Sequence, residues 1–132
     1  MEISKDNIAQ ELYLLTARAE LQRRDGKLIA TEDDETLIYS FIVDGLTALG
    51  NTILLYGTVA HDEENVVINL QMPSNWPPLE AQVQENAQSY LINYAASKWY
   101  AQAGVAADIH IAAAQTALAA ITNILNQRRK PL

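Results

Sequence analysis

Pro73-Ser74-Asn75-Trp76-Pro77-Pro78 is the strongest punctuation in this chain and constrains its fold more than any other segment. A proline lacks an N–H and fixes φ, so such a run sits inside neither a helix nor a central strand. It ends what precedes it. With Ser74 or Asn75 as cap and a proline in the first turn, it also starts a helix. From there Leu79, Val83, Ala87, Tyr90, Leu91, Tyr94, Ala95 and Trp99 recur at helical spacing to about Ala103, and Gly104 stops them. At 1.5 Å rise per residue this helix is expected to be roughly 37 Å long. Asp108 is expected to cap a last helix running to about Arg128. Its Ala112, Ala113, Ala114, Ala117, Ala119 and Ala120 give a narrow surface beside Ile121, Ile124 and Leu125. Narrow surfaces let helices approach closely, so the last two helices are expected to form a tight antiparallel hairpin.

Two further helices are expected upstream. Ser4 can cap the first, which carries Ile8, Leu12, Leu15 and Ala19 at helical spacing. A second line, Leu14, Ala17 and Leu21, widens the stripe enough for two neighbours. Arg23 and Arg24 suit the negative end of the helix dipole, and Asp25-Gly26 stops it. Thr31 with an acid three residues on is a capping-box variant opening the next helix. Glu32, Asp33, Asp34 and Glu35 complement its positive end. Leu37, Ile38, Phe41, Ile42, Leu46 and Leu49 then form a stripe interrupted by Gly45. An interior glycine costs about 1 kcal/mol relative to alanine, so a close helix approach is expected there. Gly50-Asn51 is the expected stop.

The middle changes period. Residues 52–59 are aliphatic, and 65–72 alternate Val66, Ile68, Leu70 and Met72 against Val67, Asn69 and Gln71. His61-Asp62-Glu63-Glu64 lies between them as a polar turn, which fits a β-hairpin. A lone hairpin is barely stable in water and must pack on the helices or pair with another chain. A rival pattern extends the second helix through Ile53, Leu54, Leu55 and Tyr56; the strand pattern is preferred. The expected fold is mainly α, a bundle of about four helices with a β-hairpin between the second and third. It forms one domain over 1–132, ending in a basic tail at 126–132.

Composition narrows the function classes. A chain of 132 residues is long enough for one ordinary core. It has no cysteine, which excludes disulfides, thiolate metal sites and a thiol nucleophile. Sixteen acids against nine bases give a charge of −7, so sequence-specific nucleic-acid binding is disfavoured. No apolar run approaches the roughly 18–20 residues a membrane helix needs, and the first residues lack signal-peptide regions. A soluble, cytoplasmic protein is expected.

Candidate sites are few. His61 stands among Asp62, Glu63 and Glu64, but adjacent acids in a turn point different ways and no calcium-loop spacing exists, so a solvated turn is expected. His110 has no His-x-x-x-His or Glu-x-x-His partner and is expected at the surface or boundary. The acids 32–35 are explained by the helix start. Phosphate-loop, dinucleotide and nucleophile-elbow motifs are absent. No catalytic, cofactor or metal residue is assigned, and the pattern argues against an enzyme. Leu12, Leu15, Phe41, Ile42, Tyr90, Tyr94, Trp99, Ile121 and Ile124 are expected in the core. Trp76, in a proline loop, is a candidate partner contact or packs over the bundle end. Arg128, Arg129 and Lys130 either satisfy the helix dipole or form an arm toward an acidic partner or nucleic acid. A small ligand held among Tyr90, Tyr94 and Trp99 ranks last.

An acid-opened helix carrying Leu37-Ile38 and Phe41-Ile42 precedes a proline-marked long helix ending near Trp99-Tyr100. An alanine-rich last helix then closes in Arg128-Arg129-Lys130-Pro131. In order and spacing over roughly 31–131, this resembles the small head–tail connector (adaptor, or head-completion) proteins of tailed phages and prophages. The strands expected at 52–59 and 65–72 depart from the plainest all-helical version of that family. The resemblance implies a non-catalytic subunit in a ring beneath the portal, extending the DNA channel and docking tail components. It implies portal and tail-completion partners, homo-oligomerisation in the particle, and location in the virion after assembly in the host cytoplasm. Acidic walls suit a DNA conduit because they do not hold phosphate. The competing class is a small dimeric interaction or regulatory module, antitoxin-like, binding one partner through an apolar groove.

Overall fold

The apolar period shifts from helical to alternating and back along the chain, and the elements follow it. A computed structural model describes residues 1–23, 28–71 and 79–126. Strand β1 (Glu2–Ser4) leads into helix α1 (Lys5–Arg23), and a 3₁₀ turn (Glu32–Asp34) opens helix α2 (Glu35–Ile53). Strands β2 (Gly57–His61) and β3 (Asn65–Leu70) follow, then helices α3 (Glu80–Gln102) and α4 (Asp108–Leu125). The fold is mainly α, a four-helix bundle with a hairpin between the second and third helices. Outside the described residues lie Arg24, the Asp25-Gly26 stop, Met72–Pro78 with Trp76, and the tail carrying Arg128, Arg129 and Lys130.

At the start of α1, the Ser4 hydroxyl accepts the Asn7 N–H at 3.2 Å, as an N-cap does. The buried face is Lys5, Ile8, Ala9, Leu12 and Thr16. Leu15 is half-buried and Leu14 is 50% exposed, so the second apolar line is not buried at Leu14; Ala17 is half-buried, and the Leu21 side chain lies outside the described residues. Thr16 belongs to the buried face, on the opposite side of the helix from Leu14. Its hydroxyl donates to the Tyr13 carbonyl at 3.1 Å and accepts the Ala30 N–H at 2.9 Å, tying the following loop to the helix.

The Asp34 carboxylate accepts the Thr31 N–H at 2.9 Å, and the Asp34 N–H donates to the Thr31 carbonyl at 2.9 Å, closing the expected capping turn. Ile38, Ile42, Gly45, Leu49 and Ile53 are the buried line of α2. Leu37 is 40% exposed, and Phe41 and Leu46 are half-buried, so the stripe is narrower than the sequence suggested. Gly50-Asn51 is no stop. Burial of Ile53 carries the helix three residues further, and the strand begins only at Gly57, where a Cβ would overlap the Asn69 carbonyl. The expected strand at 52–59 therefore shrinks to Gly57–His61, and part of the rival helix extension is realised. Glu32–Ile53, with mean hydropathy 1.2, is also long and apolar enough to cross a bilayer by length and composition. Its buried line is the one that packs on α3 and the sheet, as a core helix does.

The sheet order is β1-β3-β2, all antiparallel. Ile3 pairs with Val66 and Val59 with Ile68, so Ile3, Val66 and Ile68 face the core. Gly104, with φ of 76°, turns the chain from α3 into the segment before α4. The α4 cap is Ala107; Asp108 sits inside the first turn rather than capping it. Among the elements, α3 and α4 share the most extensive contact, joined by a short connection and so antiparallel. Ala114, Ala117, Ile121 and Leu125 form the buried face of α4; Ile124 is half-buried. Trp99 is core, its indole N–H donating to the Leu28 carbonyl at 2.7 Å.

Candidate functional site

The corner where α2 gives way to β2 combines an open sheet edge with exposed apolar side chains. The Gln71 N–H donates to the Tyr56 carbonyl, and the Asp62 N–H to the Asn65 carbonyl. With the observed register, Thr58 and Ala60 bond to β3, and the N–H and C=O groups of Gly57, Val59 and His61 point away from the sheet. Among the described residues no strand covers this edge. The edge at β1 differs, because the Gln84 carboxamide donates to the Glu2 carbonyl at 2.9 Å and caps it. Leu54 and Leu55, immediately before β2, are 70% and 87% exposed. An open cavity of ≈ 490 Å³ separates α2 from the edge, with Val43, Leu46 and Leu54 on one wall and Gly57, Val59 and His61 on the other. Ile109 and Ile111, in the first turn of α4, form a second exposed apolar pair at 82% and 46%.

Lys5 fastens the far end of the hairpin. Its side chain is 4% exposed. Its ammonium donates to the Asp62 carbonyl at 2.6 Å and lies 3.2 Å from His61 Nδ1. An ammonium only donates, so Nδ1 accepts and the ring proton of neutral His61 sits on Nε2. Lys5 Nζ also stands 5.9 Å from the centroid of the Tyr39 ring. Asp62 Oδ1 accepts the Glu64 and Asn65 N–H groups at 2.8 and 2.7 Å. Hydrogen bonds from the Asn65 and Glu64 N–H groups, helped by the Lys5 charge, hold the Asp62 carboxyl below its ordinary value. The acidic bend therefore has a structural explanation. Among the described residues no three His, Asp or Glu side chains converge as a metal site would require.

His110 is half-buried, stacked on Tyr100 at 5.5 Å between ring centroids, with Nδ1 3.1 Å from Asn93 Oδ1. Burial lowers its pKa below the ordinary histidine value. Burial and, secondarily, Tyr94 push the Tyr90 phenol up to about 12. The Tyr90 hydroxyl donates to the Gly45 carbonyl at 2.7 Å, so the close approach expected at Gly45 is made by α3 tyrosines. Nδ1 of His61 meets an ammonium and Nδ1 of His110 an amide oxygen.

Of the expected core residues, Leu12, Ile42, Tyr90, Trp99 and Ile121 are buried; Leu15, Phe41, Tyr94 and Ile124 lie at its margin. Trp76 and the basic tail fall outside the described residues. Sequence pattern did not single out Lys5, Leu54-Leu55 or Ile109-Ile111. A signal existed for the leucines: two adjacent ones at a period change cannot both face one core. The chain matches no protein-family model, no curated protein and no solved structure.

Proposed function

We propose that this chain is a non-enzymatic structural subunit that works by packing against neighbouring copies and partner proteins. The assembly it best suits is the head–tail joint of a tailed phage or prophage, as a ring beneath the portal. The observation that carries the reading is the open β2 edge beside Leu54 and Leu55. Natural proteins blunt exposed edges with charge, proline or cover, and Gly57-Thr58-Val59-Ala60-His61 has no proline and no lysine, aspartate or glutamate. A ring needs heterologous contacts, in which one patch meets a different patch on the next copy. Leu54-Leu55, in the turn after α2, and Ile109, 82% exposed at the start of α4, supply two different apolar surfaces. Sixteen acids against nine bases suit the wall of a conduit that passes DNA without holding it.

One feature favours the second reading, a small dimeric interaction module. The β2 edge can pair with its own copy antiparallel about Val59, setting Gly57 against His61 with no like charges opposed. Electron micrographs of concentrated protein, with light scattering on the chain alone and mixed with a portal ring, separate the two. Annular particles or a defined portal complex support the connector. A closed dimer indifferent to portal supports the module, and a strict monomer that never binds portal contradicts the ring.

A further inference from the structure

A half-open cavity of ≈ 370 Å³ lies where α2, α3 and α4 meet. It exists because Ala48, Ala101 and Ala114 stop short of one another, while Tyr90 and Tyr94 wall it with aromatic carbon and Leu118 lies at its side. Its size falls within the range of about 300–1,000 Å³ typical of small-molecule sites. The polar groups around it are mostly committed elsewhere. The Tyr90 hydroxyl donates to the Gly45 carbonyl at 2.7 Å, and the Ser97 hydroxyl to the Tyr94 carbonyl at 2.6 Å. Lys98 is the charged residue of the lining, exposed, with Nζ 5.5 Å from the centroid of the Tyr94 ring. A cation–π contact of this kind holds the ammonium over the mouth. The result is an apolar recess with one cation at its rim, in a chain that is otherwise strongly acidic. Trp99, which the sequence grouped with these tyrosines, is not part of it; its ring belongs to the Leu28 side of α3.

We propose that this cavity binds a medium-chain carboxylate, with the apolar tail between the Tyr90 and Tyr94 rings and Leu118 and the carboxylate on the Lys98 ammonium. Charge complementarity selects the occupant. A cationic amphiphile meets repulsion at the rim, and a neutral one leaves Lys98 without a partner. At interior packing density a tail of about ten carbons fills the space. Ile111 lines this recess, but the site uses neither the β2 edge nor Leu54-Leu55, which carry the assembly reading.

Calorimetric titration and NMR with octanoate, decanoate and dodecanoate, each below its micelle concentration, test the proposal on the full chain. One carboxylate should bind per chain, shifting the Ala48, Ala101 and Ala114 methyl resonances. Each added methylene should tighten binding about fourfold until the recess is full. Decyltrimethylammonium should bind at least about fivefold more weakly than decanoate, the scale of one exposed ion pair. Lys98 is exposed, so Lys98→Glu should leave thermal unfolding unchanged and weaken decanoate about tenfold. Ala114→Leu should block the recess; if that variant unfolds early, Lys98→Glu and the methyl shifts still decide. No binding at about 1 mM ligand, equal affinity for the cation, or shifts away from the recess would overturn the proposal. Methyl shifts that follow protein concentration without ligand would also overturn it, marking the recess as a contact between copies.

Discussion

Gly45→Ala should destabilise this protein although alanine is the better helix former, and the sign should reverse once Tyr94 is removed. Gly45 is buried inside α2, where replacement by alanine gains about 1 kcal/mol of helix propensity. A Cβ there would stand 2.9 Å from Tyr94 Cδ1 and 3.2 Å from Cγ. These atoms are the near side of the ring, so relief requires the whole side chain to move, and overpacking of this kind costs about 1–3 kcal/mol. The displaced helices also stretch the bond from the Tyr90 hydroxyl to the Gly45 carbonyl. The net expectation is a loss of about 1 kcal/mol. In a Tyr94→Ala background the obstruction is gone, and Gly45→Ala should stabilise by about 1 kcal/mol. The coupling between the two sites, about 2 kcal/mol, is the overpacking itself. Urea unfolding followed by far-UV circular dichroism measures all four corners of the cycle, with an unchanged m-value required throughout. Stabilisation by Gly45→Ala in the native background, with coupling near zero, would refute the claim that the glycine exists to admit Tyr94.

Other substitutions test separate parts of the fold. Trp99→Ala should cost about 3–5 kcal/mol, because it empties a core position and strands the Leu28 carbonyl; a near-zero shift in thermal unfolding would contradict the core assignment. Lys5→Met keeps the buried stem but removes the bond to Asp62, and should cost about 1 kcal/mol. Faster amide exchange should accompany it in β2 and at the bend, and unaltered exchange would argue against Lys5 as the fastener. His110 has a folded-state pKa lowered from 6.5 by burial, so the unfolded chain takes up its proton first. The stability held by neutral His110 is full above pH about 6.5 and is lost as pH falls through the lower folded value. His110→Gln should flatten that part of the stability–pH curve, and an identical slope in both proteins would rule the histidine out as its source.

The helices were legible because each carries a sustained apolar period and most have a punctuating residue. Ser4, Thr31-Asp34 and Gly104 act as their residue types predict. The errors fall where tertiary partners decide. Gly50-Asn51 has the composition of a helix stop, yet Ile53 finds a core site that rewards three more residues of helix, and the true break is set by β3 crossing close to Gly57. Strand β1 has three residues and one buried side chain, Ile3, so no local period announces it; its partner lies more than sixty residues away. Leu14 and Leu37 fit helical stripes, but among the described residues nothing covers them, and they are 50% and 40% exposed. Lys5 reads as a surface cation until the hairpin bend places a carbonyl over its ammonium. The exposed pairs Leu54-Leu55 and Ile109-Ile111 are visible in the letters, but their exposure is a property of the packed chain.

The central claim is that the corner formed by Leu54, Leu55 and the β2 edge exists to meet another molecule of the assembly. Leu54→Ser with Leu55→Ser removes its apolar part at positions that contribute little to the core, so folding stability should change by less than about 0.5 kcal/mol per site. Sedimentation velocity of the native chain and this double variant, over a wide concentration range, tests the claim most directly. Association in the native chain that disappears in an equally stable variant is the expected result. A native chain that stays monomeric at every concentration, or association untouched by the two substitutions, would contradict it.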